Sequence, residues 1–445
     1  MTDLGTEVDD NPASESTLRR VAVAALSAST LEWFDFYIYG TAAALVFNEV
    51  FFPEVDPTVG TLAAFATFGV GFMFRPVGGI LFGHFGDRLG RKKLLVIAMV
   101  MMGAATALIG ALPTYAQVGI LAPILLVVLR SVQGIAVGGQ YGGAMLMVTE
   151  NAPPHRRGFY GSFAQIGPTL AVILSNLTFL ILVAVMPSES FASWGWRIPF
   201  LLSVIVIALG LWVQVKLEDT PAFKALEQKA AAQASGPVVK KRSPILEAIR
   251  THPGPILKSA GILLVIQVYF YTQIVFMVSY MPTLGVPRTT ILTIIMISSA
   301  VVVFAFPVFA GLSDRLGRKK VVLPAAIATL VSVFPFFLLM ETATIPGMMA
   351  AALIGGLVLG ALYGPLAAYM TEMFSAEIRY SGASIGYQLA AVVGGGFAPL
   401  IAASLLAATG TILSVAAYIT VAAVITLVAV LVTKETYRPG HVTKI

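Results

Sequence analysis

Gly86-Asp87-Arg88-Leu89-Gly90-Arg91-Lys92-Lys93 returns much later in the chain as Ser313-Asp314-Arg315-Leu316-Gly317-Arg318-Lys319-Lys320. Each copy lies between two long apolar runs. A short basic loop that recurs once in each half marks a duplicated bundle of membrane-spanning helices. A second match tests the duplication. Gly134, Gly138 and Gly142, followed by Thr149-Glu150 and Arg157, return in register as Gly356, Gly360 and Gly364, followed by Thr371-Glu372 and Arg379. Glycines at i, i+4 and i+8 clear one helix face so that a neighbouring backbone can approach closely.

Composition names the solvent. The chain is 58% hydrophobic and 11% charged, with a mean hydropathy of +0.88, whereas soluble domains carry roughly a quarter charged residues. Apolar segments of about 20 residues, enough to cross a bilayer core, recur throughout. Twelve are expected, near 20–48, 58–85, 93–112, 118–150, 158–186, 195–216, 255–281, 289–312, 320–340, 346–372, 380–409 and 411–433. The fold class is therefore an all-α membrane protein of twelve transmembrane helices in two six-helix halves. Residues 1–19 read as a cytoplasmic tail, 20–216 as the first bundle and 217–254 as a cytoplasmic linker rich in Lys and Ala. Residues 255–433 form the second bundle and 434–445 a cytoplasmic tail.

Charge gives the orientation. Alternate turns (47–60, 113–117, 187–194, 281–288, 341–347 and 409–411) hold a single base, Arg288. Arg75, Arg130 and Arg197 lie within or at the edge of apolar segments, and every other Lys and Arg falls on the opposite side. That bias puts both termini in the cytoplasm. The basic pI of about 9.4 thus reports contact with a lipid bilayer and speaks against nucleic acid. With no cysteine, disulfides and thiolate metal sites are excluded. No phosphate-binding loop or metal-ligand cluster appears, so neither an enzyme nor an ATP-driven pump is expected. The early acidic residues Asp3, Glu7, Asp9, Asp10 and Glu15 have the wrong sign for a signal peptide, so the first apolar segment reads as an uncleaved span.

The informative residues are charges inside spans, where each costs at least ~2.5–3.5 kcal/mol and is a functional hypothesis by default. Span one carries Glu32 and Asp35, span two Arg75 and span four Arg130; the apolar centres of the later spans carry none. Glu32, Asp35 and Tyr39 share a helix face by spacing, and all four charges fall near mid-membrane. Two negatives and two positives nearly cancel. If one carboxylate takes a proton the cluster gains a net positive charge, which would attract an anion to arginine. The competing reading is a purely structural ion-pair network. In the repeated loops, Asp87 and Asp314 are expected to accept hydrogen bonds from the start of the following helix. Arg88, Arg91, Arg315 and Arg318, with Arg157 and Arg379, are expected to pair with carboxylates at other helix ends, Glu150 and Glu372 foremost. Such contacts would hold the cytoplasmic side closed; the alternative is that these bases only set topology.

The Asp-Arg-x-Gly-Arg-Lys loop resembles the signature of the major facilitator superfamily. Glu32-Trp33-Phe34-Asp35-Phe36, Phe74-Arg75-Pro76-Val77-Gly78-Gly79, Arg130-x2-Gln133-Gly134, Trp194-Gly195-Trp196-Arg197-Ile198-Pro199-Phe200 and Arg379-Tyr380-Ser381-Gly382-Ala383 are similar to its metabolite:proton symporter family. Gly394-Gly395-Gly396-Phe397 looks shikimate-type. The resemblance implies a monomer of the major facilitator fold in a bacterial inner membrane. It implies proton-driven uptake of a small carboxylate (shikimate-like, aromatic, or di- or tricarboxylic) by alternating access, with no cofactor. Asp35 would carry the proton with Arg130 as its partner, and Arg75 would hold the substrate carboxylate. One departure stands out: Gln140 occupies a place where many members have Glu, so no proton can be carried there. Further substrate contacts are expected from Tyr39, Gln133, Gln140 and Gln165, and from Gln267, Tyr271, Tyr363 and Gln388 of the second half. Rival readings are a symporter of a zwitterion such as betaine or proline, and a proton-coupled exporter. Against the exporter, span five has only the fragment Gly167-Pro168 of the expected glycine-rich stretch.

Overall fold

The computed structural model describes residues 15–89, 91–140, 152–218, 251–374 and 379–437, and no strand occurs among them. The order of helices is α1 (Glu15–Leu45), α2 (Pro57–Met73 continued by Arg75–Leu89), α3 (Arg91–Ala111), α4 (Leu121–Gln140), α5 (Arg157–Val185) and α6 (Arg197–Glu218). Then come α7 (Pro253–Leu284), α8 (Arg288–Leu316), α9 (Arg318–Glu341), α10 (Ile345–Glu372), α11 (Gly382–Thr409) and α12 (Leu413–Val432). Among the described residues nine helices are long and apolar enough to cross a membrane, or up to ten if one bent pair at the start of α6 counts as a span. In α3 the apolar stretch is only Val96–Ala111. Large apolar side chains such as Val185, Phe304 and Val331 stand exposed on the outside, as lipid-facing surface requires.

The repeated glycines are crossing points. A methyl group added at Gly134 would strike the Gly71 carbonyl, and one at Gly138 the Arg75 carbonyl, so α4 lies directly on the α2 backbone. In the second set of six, an added methyl at Gly356 would lie 2.7 Å from the Ser298 carbonyl, one at Gly360 would strike Ala305, and one at Gly364 would lie 2.7 Å from the Phe306 carbonyl. There α10 lies on α8, repeating the α4–α2 contact; Gly142 is outside the described residues. Proline acts in two ways. Pro168 and Pro307 sit inside continuous helices, whereas α10 is broken at Pro365, between Ile345–Tyr363 and Leu366–Glu372.

Arg197 is structural. Its guanidinium donates to the Leu112 carbonyl at 2.8 Å just beyond the end of α3 and lies 4.4 Å over the Trp196 ring. It thereby satisfies a helix-end carbonyl that has no intrahelical partner.

Among the described residues the two sets of six helices meet at three seams marked by glycine. At one, a methyl group added at Gly40 of α1 would lie 3.1 Å from the Val275 side chain of α7. At the second, a methyl group added at Gly69 of α2 would lie 3.0 Å from the Gly396 carbonyl of α11. At the third, a methyl group added at Gly158 of α5 would lie 2.7 Å from the Ala310 carbonyl of α8. Both α7 and α11 widen into π turns at the seams, Thr272–Phe276 and Ala391–Gly396. Such turns shift helical register and cluster at functional sites.

Gly138→Ala is expected to lower the melting temperature clearly in detergent, because overpacking against backbone costs ~1–3 kcal/mol. Gly79→Ala, whose new methyl would find its nearest neighbour at 3.6 Å, should melt like the parent chain. Tryptophan fluorescence melting checks both.

Candidate functional site

Arg75 and Arg130 are both 0% exposed. The Arg75 guanidinium lies over Phe72 at 4.0 Å, Phe36 at 4.4 Å and Trp33 at 5.3 Å. That of Arg130 lies over Tyr39 at 4.0 Å, Phe36 at 4.3 Å and Phe68 at 5.1 Å. The helices make this possible through spacing: Trp33, Phe36 and Tyr39 recur every three residues on α1, and Phe68 and Phe72 are four apart on α2. Gly71 supplies the room, since a methyl there would sit 2.6 Å from Arg130 Nε. None of the three Arg75 nitrogens has a hydrogen-bond partner, nor do Nε and Nη2 of Arg130. Arg130 Nη1 donates to Gln133 Oε1 at 3.0 Å, and Gln133 Nε2 donates to Thr106 Oγ1 at 2.7 Å. Gln133 is thus spent on orienting Arg130, and Tyr39 donates its hydroxyl to Thr67 at 2.6 Å. Buried donors without acceptors are costly.

The acids are placed differently from the sequence expectation. Asp35 is 4% exposed and its Oδ1 accepts no hydrogen bond. The expected Asp35–Arg130 ion pair is not formed among the described residues. Arg130 is instead turned onto the ring faces of Phe36 and Tyr39, with its one bonded nitrogen committed to Gln133. Glu32 is half-buried and lies within electrostatic reach of Arg75. The two arginines therefore gather on one aromatic group, with Glu32 within electrostatic reach of Arg75.

The second set of helices reaches this group through Tyr271. Its ring lies 5.1 Å from Phe72 and 5.8 Å from Phe68, and its hydroxyl is within electrostatic reach of both arginines. Tyr37 of α1, 6.3 Å from Tyr271 ring to ring, joins Tyr363 and Tyr387 in one cluster of hydroxyls. Gln267 is buried against Gly394, and Gly395 fits under Tyr271. Gln388 Oε1 is buried without a partner, and Gln165 is buried on α5. The side chain of Gln140 lies outside the described residues.

At the cytoplasmic side the second loop forms a lock. Asp314 Oδ1 accepts from the Gly158 amide at 2.9 Å and Oδ2 from the Phe159 amide at 2.8 Å. These are the first-turn amides of α5, so the carboxylate caps a helix of the other half, not the following helix as its sequence position suggests. The reason is that Asp314 still belongs to the last turn of α8 and projects sideways. Gly317, at φ +113°, then ends that helix. The start of α9 is capped instead by Glu435, which accepts from the Arg318 and Lys319 amides. Arg318 bridges Asp314 at 2.6 Å and Glu372 at 2.9 Å, as expected for Glu372. Arg315 is exposed and forms no ion pair among the described residues. Arg157 Nε is buried without a partner. The side chains of Asp87, Arg88, Arg91 and Arg379, and all of Glu150, lie outside the described residues.

Sequence reasoning missed the aromatic platform, Tyr37, Thr106 and the tail. The three-residue recurrence of Trp33, Phe36 and Tyr39 was a usable signal for the platform. Nothing in the Lys434–Tyr437 stretch announces that Glu435 caps α9, that Thr436 donates to Glu372 at 2.7 Å, or that Tyr437 lies under Arg318.

With twelve helices, internally repeated crossings and a charged centre, the architecture is that of a secondary transporter. The chain belongs to the Major Facilitator Superfamily, whose model matches residues 25–379 and 260–444. It is 43% identical over 442 residues to the "Shikimate transporter" of Escherichia coli, covering 98% of this chain and 99% of that one. It is 39% identical to the E. coli "Inner membrane metabolite transport protein YhjE", over 87% of each chain. A "Proline/betaine transporter" of Salmonella typhimurium is 35% identical, over 95% of this chain and 84% of that one. Among solved structures, a D-xylose-proton symporter superposes with a TM-score of 0.70 at 18% identity, covering 92% of this chain and 96% of that chain. The protein is a multi-pass inner-membrane transporter of small molecules and not an enzyme.

Asp314→Asn should weaken the cytoplasmic lock, because a neutral amide holds helix-end amides less strongly than a carboxylate does. The chain has no cysteine, so one placed at Gly311, 3.7 Å from Phe159, can be followed alone. Labelling by a polar maleimide should be several-fold faster in the Asp314→Asn background; equal rates would remove Asp314 from the lock.

Proposed function

We propose that the chain is a proton-coupled symporter taking up a small carboxylate, with a shikimate-like cyclic hydroxy acid as its cargo, by alternating access between the two six-helix sets. The observation that carries this reading is the pair of fully buried guanidiniums with five unbonded nitrogens between them. Arg75, with all its donors open, is the carboxylate ligand. Arg130, braced by Gln133, completes the positive centre. Asp35 is the proton carrier: neutralising it leaves the two arginines in excess over Glu32, so proton and anion favour each other's binding. The hydroxyl cluster of Tyr37, Tyr271, Tyr363 and Tyr387 offers partners for the hydroxyls of the ring. The relative named for shikimate, similar over nearly the whole length, supports the same cargo class.

A quaternary ammonium zwitterion is the rival that the proline/betaine relatives bring. Such a cation would need open aromatic faces. Here Trp33, Phe36, Phe72, Tyr39 and Phe68 already carry arginine, which favours the anion.

In proteoliposomes an inward proton gradient should drive shikimate accumulation. Asp35→Asn should abolish that accumulation and leave shikimate counterflow intact; accumulation that persists would move the proton elsewhere. Arg75→Lys, which keeps the charge but loses the planar fork, should raise the shikimate KM at least about tenfold, the value of one lost charged hydrogen bond.

A further inference from the structure

We infer that Phe36 is a positioning residue of the carboxylate site, holding the Arg75 and Arg130 guanidiniums on one ring with their N–H edges free. This rests on the proposed assignment of both arginines to anion binding. Among the aromatic rings that carry these cations, Phe36 alone carries both, at 4.4 Å and 4.3 Å. Trp33 and Phe72 carry only Arg75, and Tyr39 and Phe68 only Arg130. Phe36 is itself 1% exposed and wedged edge-on against Phe72 at 5.1 Å and Trp33 at 5.7 Å, so it cannot turn away.

The chemistry of the partner decides what the arrangement does. A carboxylate holding an arginine consumes its N–H groups. An aromatic ring takes the flat face of the guanidinium through its quadrupole and leaves the in-plane donors unspent. Five guanidinium nitrogens are unbonded here, the outcome that ring stacking produces. One ring also solves a second problem, because two like charges brought together repel and need negative potential between or beside them. The face of Phe36 supplies that potential before an anion arrives. The residue touches no substrate in this reading; it acts through the two arginines.

The test replaces Phe36 in the full-length transporter with 4-fluoro-, 3,5-difluoro- and 3,4,5-trifluorophenylalanine. These drain the ring face of negative potential at nearly constant size. Melting of the ligand-free protein should fall in that order. The KM for proton-driven shikimate uptake should rise in the same order to roughly tenfold, while the turnover number shifts by less than about twofold. The same series at Phe179, a fully buried ring packed on Phe191 with no arginine over it among the described residues, should show no ordered trend in either quantity. Melting that is flat or out of order at position 36 overturns the proposal, whatever the cargo. Ordered melting with an unordered KM overturns the positioning role. Ordered melting in a protein that never accumulates shikimate keeps the cation-holding ring and strikes the cargo assignment instead. Phe36→Leu, of similar bulk but no quadrupole, should match or exceed the trifluorinated ring in KM.

Discussion

Two arginine side chains lie fully buried near the middle of a membrane protein, and most of their donors bond to nothing. A formal charge there costs at least ~2.5–3.5 kcal/mol, and each unmet donor adds to the cost. Stacking on desolvated aromatic rings returns ~2 kcal/mol or more per contact, and Glu32 adds attraction from one side. The balance leaves a site that is tolerable when empty and improved by a negative ligand. In the proposed reading that residual demand is what recognises an anion, and the surrounding architecture serves to maintain it.

The glycines are what fix the distance between the two cations. Arg75 sits on α2 with its carbonyl directly under Gly138 of α4, while Arg130 sits on α4 with its side chain laid across Gly71 of α2. The helix pair that crosses at glycine is thus the pair that carries both arginines. Closest backbone approach sets how near the guanidiniums come to Phe36. On the other seam, Gly395 and Gly396 let α11 close over Tyr271 and Phe72. The second half is thereby brought into contact with the aromatic platform itself. At the cytoplasmic end the coupling is electrostatic: one carboxylate, Asp314, holds the first turn of α5 while bridging to Arg318, which in turn bridges to Glu372.

Much of this was legible in the sequence because membranes punish exceptions. Arg75, Arg130, Glu32 and Asp35 stood out by cost alone, and the paired loops and glycine triplets gave the duplication and the helix crossings. What the sequence could not supply was direction. Asp314 reads as the cap of the helix that follows it and caps α5 instead, because whether a side chain points forward or sideways depends on where the helix ends. Arg130 reads as the partner of Asp35, yet ring faces one helical turn apart on α1 compete for it and win. Glu435 belongs to a short polar tail with no periodicity, so its capping of α9 is a purely tertiary fact.

The central claim is that proton and anion binding at this site are one coupled event. Calorimetric titration of shikimate into the purified transporter near pH 7, repeated in buffers of different ionisation enthalpy, measures that coupling directly. The account predicts about one proton taken up per shikimate bound, and no uptake in Asp35→Asn while binding persists. Binding of shikimate with a heat independent of the buffer would contradict it.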